Sequence, residues 1–337
     1  MPETSNQVIV RYLEDAIAAE GNFENQLSSL SKGSAQGFVR DLFAKFSTGA
    51  RSQKETLTER LQSLGGSPST AKGILARLLA FSPMLAQAGQ HPQDKDTQHL
   101  IMVAGAAGAE MAMYEAMAVV AAAAGDAETE GLARHMQTEE RSDREKTWEV
   151  LGRSASLAFH SVAGESASGG EKPREIIRRY LQDAIAAERT FEDQLRSFAG
   201  TGNLDRVQQL FRTHADETRT QYERLEPRLR TLGGSPSVMK SALAHMFAFA
   251  PAAAQIGHEA AEKNTQHLMI AYAVENAEMA MYEAFSVAAQ AAGDPDSLAL
   301  AREIQEEERR PAEEGWSQIA GAARAASAQV TERRMTA

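Results

Sequence analysis

The apolar positions of the chain recur at intervals of three and four residues, the spacing that places them on one face of an α-helix. In the first half of the chain this pattern predicts four main helices, over residues 8–31, 34–64, 96–124 and 128–154. A short additional helix is predicted over residues 70–87, inside the one long connection. No stretch shows the alternation of apolar and polar residues that predicts a half-buried strand.

The ends of the predicted helices carry strong signals. The second helix runs into Leu64-Gly65-Gly66-Ser67-Pro68, where glycine suits a left-handed cap and proline prevents continuation. The third helix ends at Gly125-Asp126. Short, long and short connections around four helices predict a bundle with one crossover, which is the ferritin-like arrangement.

The second half of the chain repeats the first. Residues 12–20 recur 168 residues later as residues 180–188, with few substitutions, and Trp148 recurs as Trp316. The same offset carries residues 64–69, 97–100 and 109–116 onto residues 232–237, 265–268 and 277–284. A register without gaps indicates tandem duplication. We therefore predict an all-α fold of two tandem ferritin-like four-helix bundles, each with one long crossover connection.

The bundles are predicted at residues 1–156 and 174–326. Between them, residues 157–173 are rich in Gly and Ser, which is typical of a flexible linker. Residues 327–337 are expected to form a frayed tail.

Composition narrows the classes of function. The chain has no cysteine, which excludes disulfides, thiolate metal sites and cysteine nucleophiles. Its formal net charge of −11 argues against nucleic acid or an anionic membrane surface as the main partner. The most apolar run, residues 100–124, contains Glu110 and Glu115 and is interpreted as a buried bundle helix. The first residues show no signal-peptide pattern, so a cytoplasmic location is expected.

Candidate chemistry centres on the third helix of the second half. Glu275 and Glu278 are three residues apart and share a helix face that is otherwise apolar. Tyr282 lies two turns beyond Glu275 and is the candidate catalytic residue, because its hydroxyl could hydrogen-bond a ligand carboxylate. Charged groups rarely enter a helical core unless they are paired or bind a metal ion.

Each of the other helices of that half offers a further carboxylate. We predict as metal ligands Glu188, Glu217, Glu275, Glu278 and Glu307, the last chosen from the run of residues 306–308. Oxygen ligands suit iron or manganese, and two metal ions bridged by glutamates are a known arrangement in four-helix bundles. On the other interpretation, Glu188, Glu217 and the acidic run lie on solvated faces. The Glu-x-x-His spacing that often completes such sites is absent, since Thr220 and Arg310 occupy the histidine positions.

The first half lacks part of this set. Gly49, Phe46 and Ala107 stand where the second half has Glu217, His214 and Glu275. We therefore predict a metal-free structural copy. The alternative is a mononuclear site, which would be formed by the residues Glu20, Glu110, His135 and Glu139.

The second half resembles the YciF-type branch of the ferritin-like superfamily. The resemblance rests on residues 180–188, on His214-x-x-Glu217 with Gln221, on Glu275-x-x-Glu278 with Tyr282, and on Glu307-Glu308. It implies a four-helix bundle, dimeric assembly, a di-metal centre and a role in bacterial stress response. The Glu275-x-x-Glu278 pair is also similar to the third helix of rubrerythrins, which reduce peroxide.

Two functions follow from these observations. The first is a bacterial stress-response protein with a di-iron or di-manganese site in the second bundle, acting on O2, peroxide or Fe(II). The alternative is a structural or interaction protein that keeps the fold without metal. If the family pairs two bundles, this chain could form the pair within itself, through the small residues Gly105, Gly108 and Ala109.

Overall fold

The structure is a computed structural model that describes residues 5–67, 92–164, 172–236 and 262–332. Within these ranges the chain forms eight α-helices and no strand. The helices are α1 (Ser5–Gly33), α2 (Gly37–Ser63), α3 (Pro92–Ala124), α4 (Ala127–Gly164), α5 (Pro173–Thr201), α6 (Asp205–Thr231), α7 (Lys263–Ala291) and α8 (Pro295–Glu332). The all-α prediction, with two tandem halves of four helices each, is confirmed.

The cap at the end of the second helix is the same in both halves. Gly65 adopts a φ of 78°, and the Gly66 amide donates to the carbonyl of Leu61 over 3.0 Å. Gly233 and Gly234 repeat this arrangement at the end of α6. The Gly-Gly signal in the sequence therefore ends α2 and α6 as predicted, because glycine tolerates the left-handed conformation that the cap requires.

An arginine ties the second helix of each half to the corner between its third and fourth helices. Asp126 caps α4 by accepting from the Thr129 amide over 3.0 Å, and Arg60 of α2 lies 2.7 Å from the same carboxylate. Arg228 and Asp294 form the equivalent pair in the second half. This corner fixes α2 against α4, and α6 against α8, at one end of each bundle.

The third helix of each half forms its core. Nearly all of α7 is buried, and α3 is buried on almost every side. The segment Asp94–Ala124 is long and apolar enough to cross a membrane by length and composition, but 94% of its most apolar window is buried inside the fold. This is the burial expected of a core helix, as the sequence analysis interpreted it.

The two halves contact each other along α3 and α7. Helix α7 packs directly against Gly105. A Cβ atom built at this glycine would lie only 3.0 Å from the Cβ of Ala277. Arg11 pairs with Glu262 over 2.7 Å, and Arg179 pairs with Asp94 over the same distance. The 168-residue offset relates Arg11 to Arg179 and Asp94 to Glu262, so each ion pair is the equivalent of the other, as contacts across a two-fold axis are.

Some boundaries differ from the prediction. Helix α4 continues to Gly164 because Phe159 and Val162 are buried in the core, so part of the predicted linker is helical. Helix α8 continues to Glu332, beyond the predicted end of the second bundle. Helices α6 and α8 also run on through Pro227 and Pro311. The predicted short helix at residues 70–87 lies outside the described residues.

Candidate metal centre

Five ionisable side chains from all four helices of the second half meet in its core. All are at most 3% exposed, and they are Glu188 on α5, His214 on α6, Glu275 and Glu278 on α7, and Glu308 on α8. Each faces inward because it occupies the apolar stripe of its helix. On α8, for example, Glu308 lies one turn from both Ile304 and Ala312, which are buried.

The five side chains form two groups that share one carboxylate. His214, Glu275 and Glu308 make the first group, and Glu188, Glu278 and Glu308 make the second. Within each group, one ligand atom per residue lies within 4.8 Å of the others. The Nε2 atom of His214 is 2.9 Å from Oε1 of Glu275 and 3.9 Å from Oε2 of Glu308. Glu308 therefore stands where a bridging ligand would stand between two cations.

Most carboxylate oxygens of this cluster lack hydrogen bonds. Within the described residues, neither oxygen of Glu278 or Glu308 has a hydrogen-bond partner, and neither does Oε2 of Glu275 or of Glu188, whereas Oε1 of Glu275 contacts His214. Buried polar atoms are nearly always hydrogen-bonded, and leaving one unsatisfied costs about 1–3 kcal/mol. Several oxygens without partners in one buried place are groups that could hold a cation.

Burial shifts the protonation of the cluster. Desolvation raises the pKa of Glu188 and Glu278 well above the usual value, and raises the pKa of Glu275 to about 8. For His214, desolvation lowers the pKa, but the neighbouring carboxylates of Glu275 and Glu308 together outweigh it and raise the pKa to about 10. In the absence of a cation the cluster therefore retains protons, and a bound cation would replace them.

Tyr282 lies at the edge of the cluster, where its hydroxyl donates a hydrogen bond to Oε1 of Glu188. The side chain is fully buried, and desolvation raises its pKa well above the usual value. The tyrosine thus remains a hydrogen-bond donor and holds one oxygen of Glu188, while Oε2 of Glu188 has no hydrogen-bond partner among the described residues.

Two of the predicted ligands lie outside the cluster. Glu217 forms an ion pair with Arg310, and Glu307 forms one with Arg224, both at the partly exposed contact of α6 with α8. The structure brings Glu308 into the core in place of Glu307, because a single residue step turns a helix by about 100°. Glu188, Glu275 and Glu278 do meet in the core, with Tyr282 beside them.

Helical periodicity favours His214 and Glu308, the two cluster residues that were not among the predicted ligands. On α6, the buried stripe contains Phe211, Ala215 and Gln221, and His214 belongs to it whereas Glu217 does not. On α8, the buried stripe through Ala301 and Ile304 reaches Glu308. The available signal was thus the register of each acidic or basic residue with its apolar neighbours.

The first half has a smaller cluster at the equivalent place. Glu20, Glu110 and Glu140 are buried and have ligand atoms within 4.8 Å of one another. The Tyr114 hydroxyl donates to Glu20, and the Gln53 amide donates to Oε1 of Glu140 over 2.9 Å. Burial raises the pKa of Glu140 to about 7.

The composition of this smaller cluster differs from the mononuclear site that was the alternative prediction for the first half. His135 is exposed and lies 3.7 Å from Glu139, which is also exposed, so neither joins the cluster. Phe46 and Ala107 are buried where the second half has His214 and Glu275. The first half thus keeps three carboxylates and lacks the histidine group.

The donor set of the second half fits a metal ion. Carboxylate oxygens and one imidazole nitrogen are ligands that iron and manganese accept, and those in the cluster are deeply buried, most of the oxygens without a hydrogen-bond partner among the described residues. Zinc sites more commonly use cysteine and several histidines. Buried groups that could hold metal ions are therefore present, on all four helices of one bundle.

The molecule is thus a tandem helical-bundle protein with a buried cluster of potential metal ligands in each half. It belongs to the family DUF892, a domain of unknown function, whose profile matches residues 4–156 and 172–325. The two matched regions coincide with the two halves of the duplication. A comparison with curated proteins finds no match, and a comparison with solved structures finds none either.

Proposed function

We propose that the second half holds a dinuclear centre of iron or manganese, and that the protein uses it to act on O2 or peroxide, or to oxidise Fe(II). The observation that carries this proposal is Glu308, which belongs to both groups of ligand atoms while neither of its oxygens has a hydrogen-bond partner in the described chain. One cation in each group, bridged by this carboxylate, would neutralise the cluster.

A pair of iron or manganese ions, held by these residues, would supply the exchange of electrons with O2, peroxide or Fe(II). The chain itself supplies the surroundings. Tyr282 orients Glu188, and His214 provides the one nitrogen donor among the carboxylates. The apolar packing around the five side chains keeps bulk water away, which strengthens every electrostatic interaction inside.

The resemblance to the YciF-type branch of the ferritin-like superfamily agrees with this proposal. It adds a role in bacterial stress response, for which a centre that consumes peroxide or stores oxidised iron is chemically suited. A cytoplasmic location belongs to the same proposal. The small-molecule oxidant or the metal ion would be the partner of the site.

Metal content after reconstitution tests the centre. The chain is loaded with Fe(II) or Mn(II) without oxygen, desalted and analysed for metal, and we expect about two ions per chain, as in other dinuclear bundles. In Glu308→Gln the bridging carboxylate is lost, so we expect about one ion or none. The matched control is Glu313→Gln, an exposed position on the same helix, which should keep the full content.

Anomalous scattering at the metal edges provides the location. We expect two peaks, one on each side of Glu308. Full metal content in Glu308→Gln, or peaks at the surface alone, would rule out the proposed centre.

The second candidate is a structural or interaction protein that binds no metal. It is favoured by the first half, where Phe46 and Ala107 take the places of His214 and Glu275 and the bundle still forms. If the wild-type chain binds no metal under the conditions above and Glu308→Gln changes only its stability, this second function is the correct one.

A further inference from the structure

A cleft of about 570 Å³ opens on the outer face of the second bundle, between α6 and α8. Its lining consists almost entirely of charged side chains over a single buried amide. The lining residues are Glu217, Gln221, Glu303, Glu306, Glu307 and Arg310. The cleft contains Glu217 and Glu307, the two predicted ligands that lie outside the core cluster.

Gln221 forms the floor of this cleft. It is 3% exposed, it lies two turns from His214 on the same face of α6, and its Oε1 atom has no hydrogen-bond partner among the described residues. The equivalent glutamine of the first half shows what such a residue can reach. Gln53 donates to the outer carboxylate of Glu139 over 3.1 Å and to the inner carboxylate of Glu140 over 2.9 Å.

The position of Gln221 therefore lies between the surface and the core cluster. Glu139 and Glu140 of the first half correspond to Glu307 and Glu308 of the second. A glutamine at this position spans the distance from the exposed carboxylate to the buried one. In the second half the unpaired oxygen of Gln221 is an available ligand at the position from which Gln53 reaches both carboxylates in the first half.

The acidity of the cleft is confined to the half with the complete ligand set. Glu217, Glu303 and Glu306 correspond to Gly49, His135 and Thr138 in the first half, where only Glu139 remains of the four carboxylates. The second half thus differs from the first both in the core, through His214 and Glu275, and at this surface. The two differences occur together, as they would if the surface served the core.

Two arginines hold the outer carboxylates in place. Arg224 lies 2.9 Å from Glu303 and also pairs with Glu307, and Arg310 pairs with Glu217. Each pair joins α6 to α8 across the cleft. Since these groups are partly exposed, the ion pairs are weak and a divalent cation can compete with the arginines for the carboxylates.

We propose that this cleft is the route by which a divalent first-row metal ion reaches the core cluster. The ion binds first to the outer carboxylates, passes to Oε1 of Gln221, and reaches Glu308 from there. This inference rests on the proposed metal centre. It assigns to the outer carboxylates a role in the rate of metal uptake, and none in the amount of metal finally held.

The rate of Mn(II) uptake by the full chain tests the route, followed by the loss of the electron paramagnetic resonance signal of free Mn(II). In the double variant Glu303→Gln/Glu307→Gln we expect uptake about tenfold slower, because the excess of carboxylates over arginines in the cleft raises the local concentration of cations. The final Mn(II) content should equal that of the wild type. The control Glu223→Gln/Glu313→Gln removes two exposed charges elsewhere and should load at the wild-type rate.

Two further measurements test the route: the dependence of the uptake rate on salt, and a variant of Gln221 at the floor of the cleft. The difference between wild type and the double variant should shrink as salt is raised, because exposed charges are screened. Gln221→Leu, which removes the oxygen without changing the net charge, should also slow uptake. If Gln221→Leu loads as fast as the wild type, metal ions do not pass this residue and the route is wrong.

The remaining outcomes separate this inference from the proposed function. Equal uptake rates in Glu303→Gln/Glu307→Gln and in its control would overturn the route while the metal centre stands. A lower final Mn(II) content in that variant would also overturn it, since the carboxylates would then be ligands. If the wild type takes up no metal, the centre fails and the route fails with it.

Discussion

At the scale of single residues, two equivalent core positions are ionisable in the second half and apolar in the first. The second half places His214 and Glu275 in its core, with several polar atoms left without hydrogen bonds. The first half has Phe46 and Ala107 there, which need none. A buried charged group is tolerated when it is paired or binds a cation, so the second half carries a cost in the metal-free state that the first avoids.

The double variant His214→Phe/Glu275→Ala copies the first half into the second. Because buried ionic groups are exchanged for apolar ones, we expect the free energy of unfolding of the metal-free chain to rise by about 1–3 kcal/mol. The Mn(II) content should fall by about one ion, since one of the two ligand groups is lost. Denaturant unfolding with chelator and metal analysis measure the two effects.

The control keeps the core intact and changes an exposed residue of the same helix as His214, as in Glu223→Gln. Unchanged metal content in His214→Phe/Glu275→Ala would contradict the assignment of these two residues as ligands. A large loss of stability in the metal-free chain would show instead that the histidine and glutamate stabilise each other as an ion pair.

The residue scale also shows how far the sequence could predict the site. Glu275 and Glu278 are predictable from the sequence because the neighbouring residues of their helix leave little polar face. Glu307 is the predicted ligand and Glu308 the buried one, and the sequence offers no chemical distinction among the three adjacent glutamates. Only the register with Ile304 and Ala312 separates them, and that register becomes decisive when the face of α8 that meets the core is known.

At the scale of helices, the ends were predictable where a backbone signal exists. Gly-Gly-Ser-Pro fixes the ends of α2 and α6 through a positive φ that other residues rarely adopt. The end of α4 was harder, because the segment beyond Ser154 is rich in small and polar residues and its composition resembles a linker. The helix persists since Phe159 and Val162 gain burial against the core, which is a tertiary effect.

The close approach of α3 to α7 gives a prediction at this scale. In Gly105→Leu the new side chain would overlap Ala277 and the carbonyl of Ala273, so the two helices must separate. We expect the free energy of unfolding to fall by about 1–3 kcal/mol, as in other overpacked cores. The control Gly131→Ala adds a methyl group in open space on α4 and should be neutral or slightly stabilising.

The same contact supports the hypothesis that the two halves pair within one chain. Light scattering should then give the mass of a single chain, 36.4 kDa, for the wild type. A mass of twice this value would contradict a self-contained pair.

At the scale of the whole molecule, the duplication separates two roles that a symmetric dimer would have to combine. The ion pairs Arg11–Glu262 and Arg179–Asp94 are equivalent, so the contact between the halves is preserved on both sides. The cores are not equivalent, because only one has the histidine group and the acidic cleft above it. One half can therefore lose ligands and act as a scaffold, while the other retains the site that we propose to be functional.

The metal-free molecule should become less stable as the pH rises from 6 to 8. Burial raises the pKa of Glu275 to about 8 and that of Glu140 to about 7, so the folded chain keeps protons that the unfolded chain has already released. His214 acts in the same direction, because Glu275 and Glu308 raise its pKa in the fold to about 10, above the usual histidine value of about 6.5. Since the folded state binds more protons, the free energy of unfolding falls with rising pH, by up to about 1.4 kcal/mol per pH unit for each such proton.

Denaturant unfolding with chelator at pH 6, 7 and 8 measures this slope. Saturating Mn(II) should flatten or reverse it, because the cation replaces the protons and binds more tightly as the pH rises. A metal-free chain whose stability is constant or increases over this range would show that the clustered carboxyl groups are already ionised, and that they hold their charge by some means other than a cation.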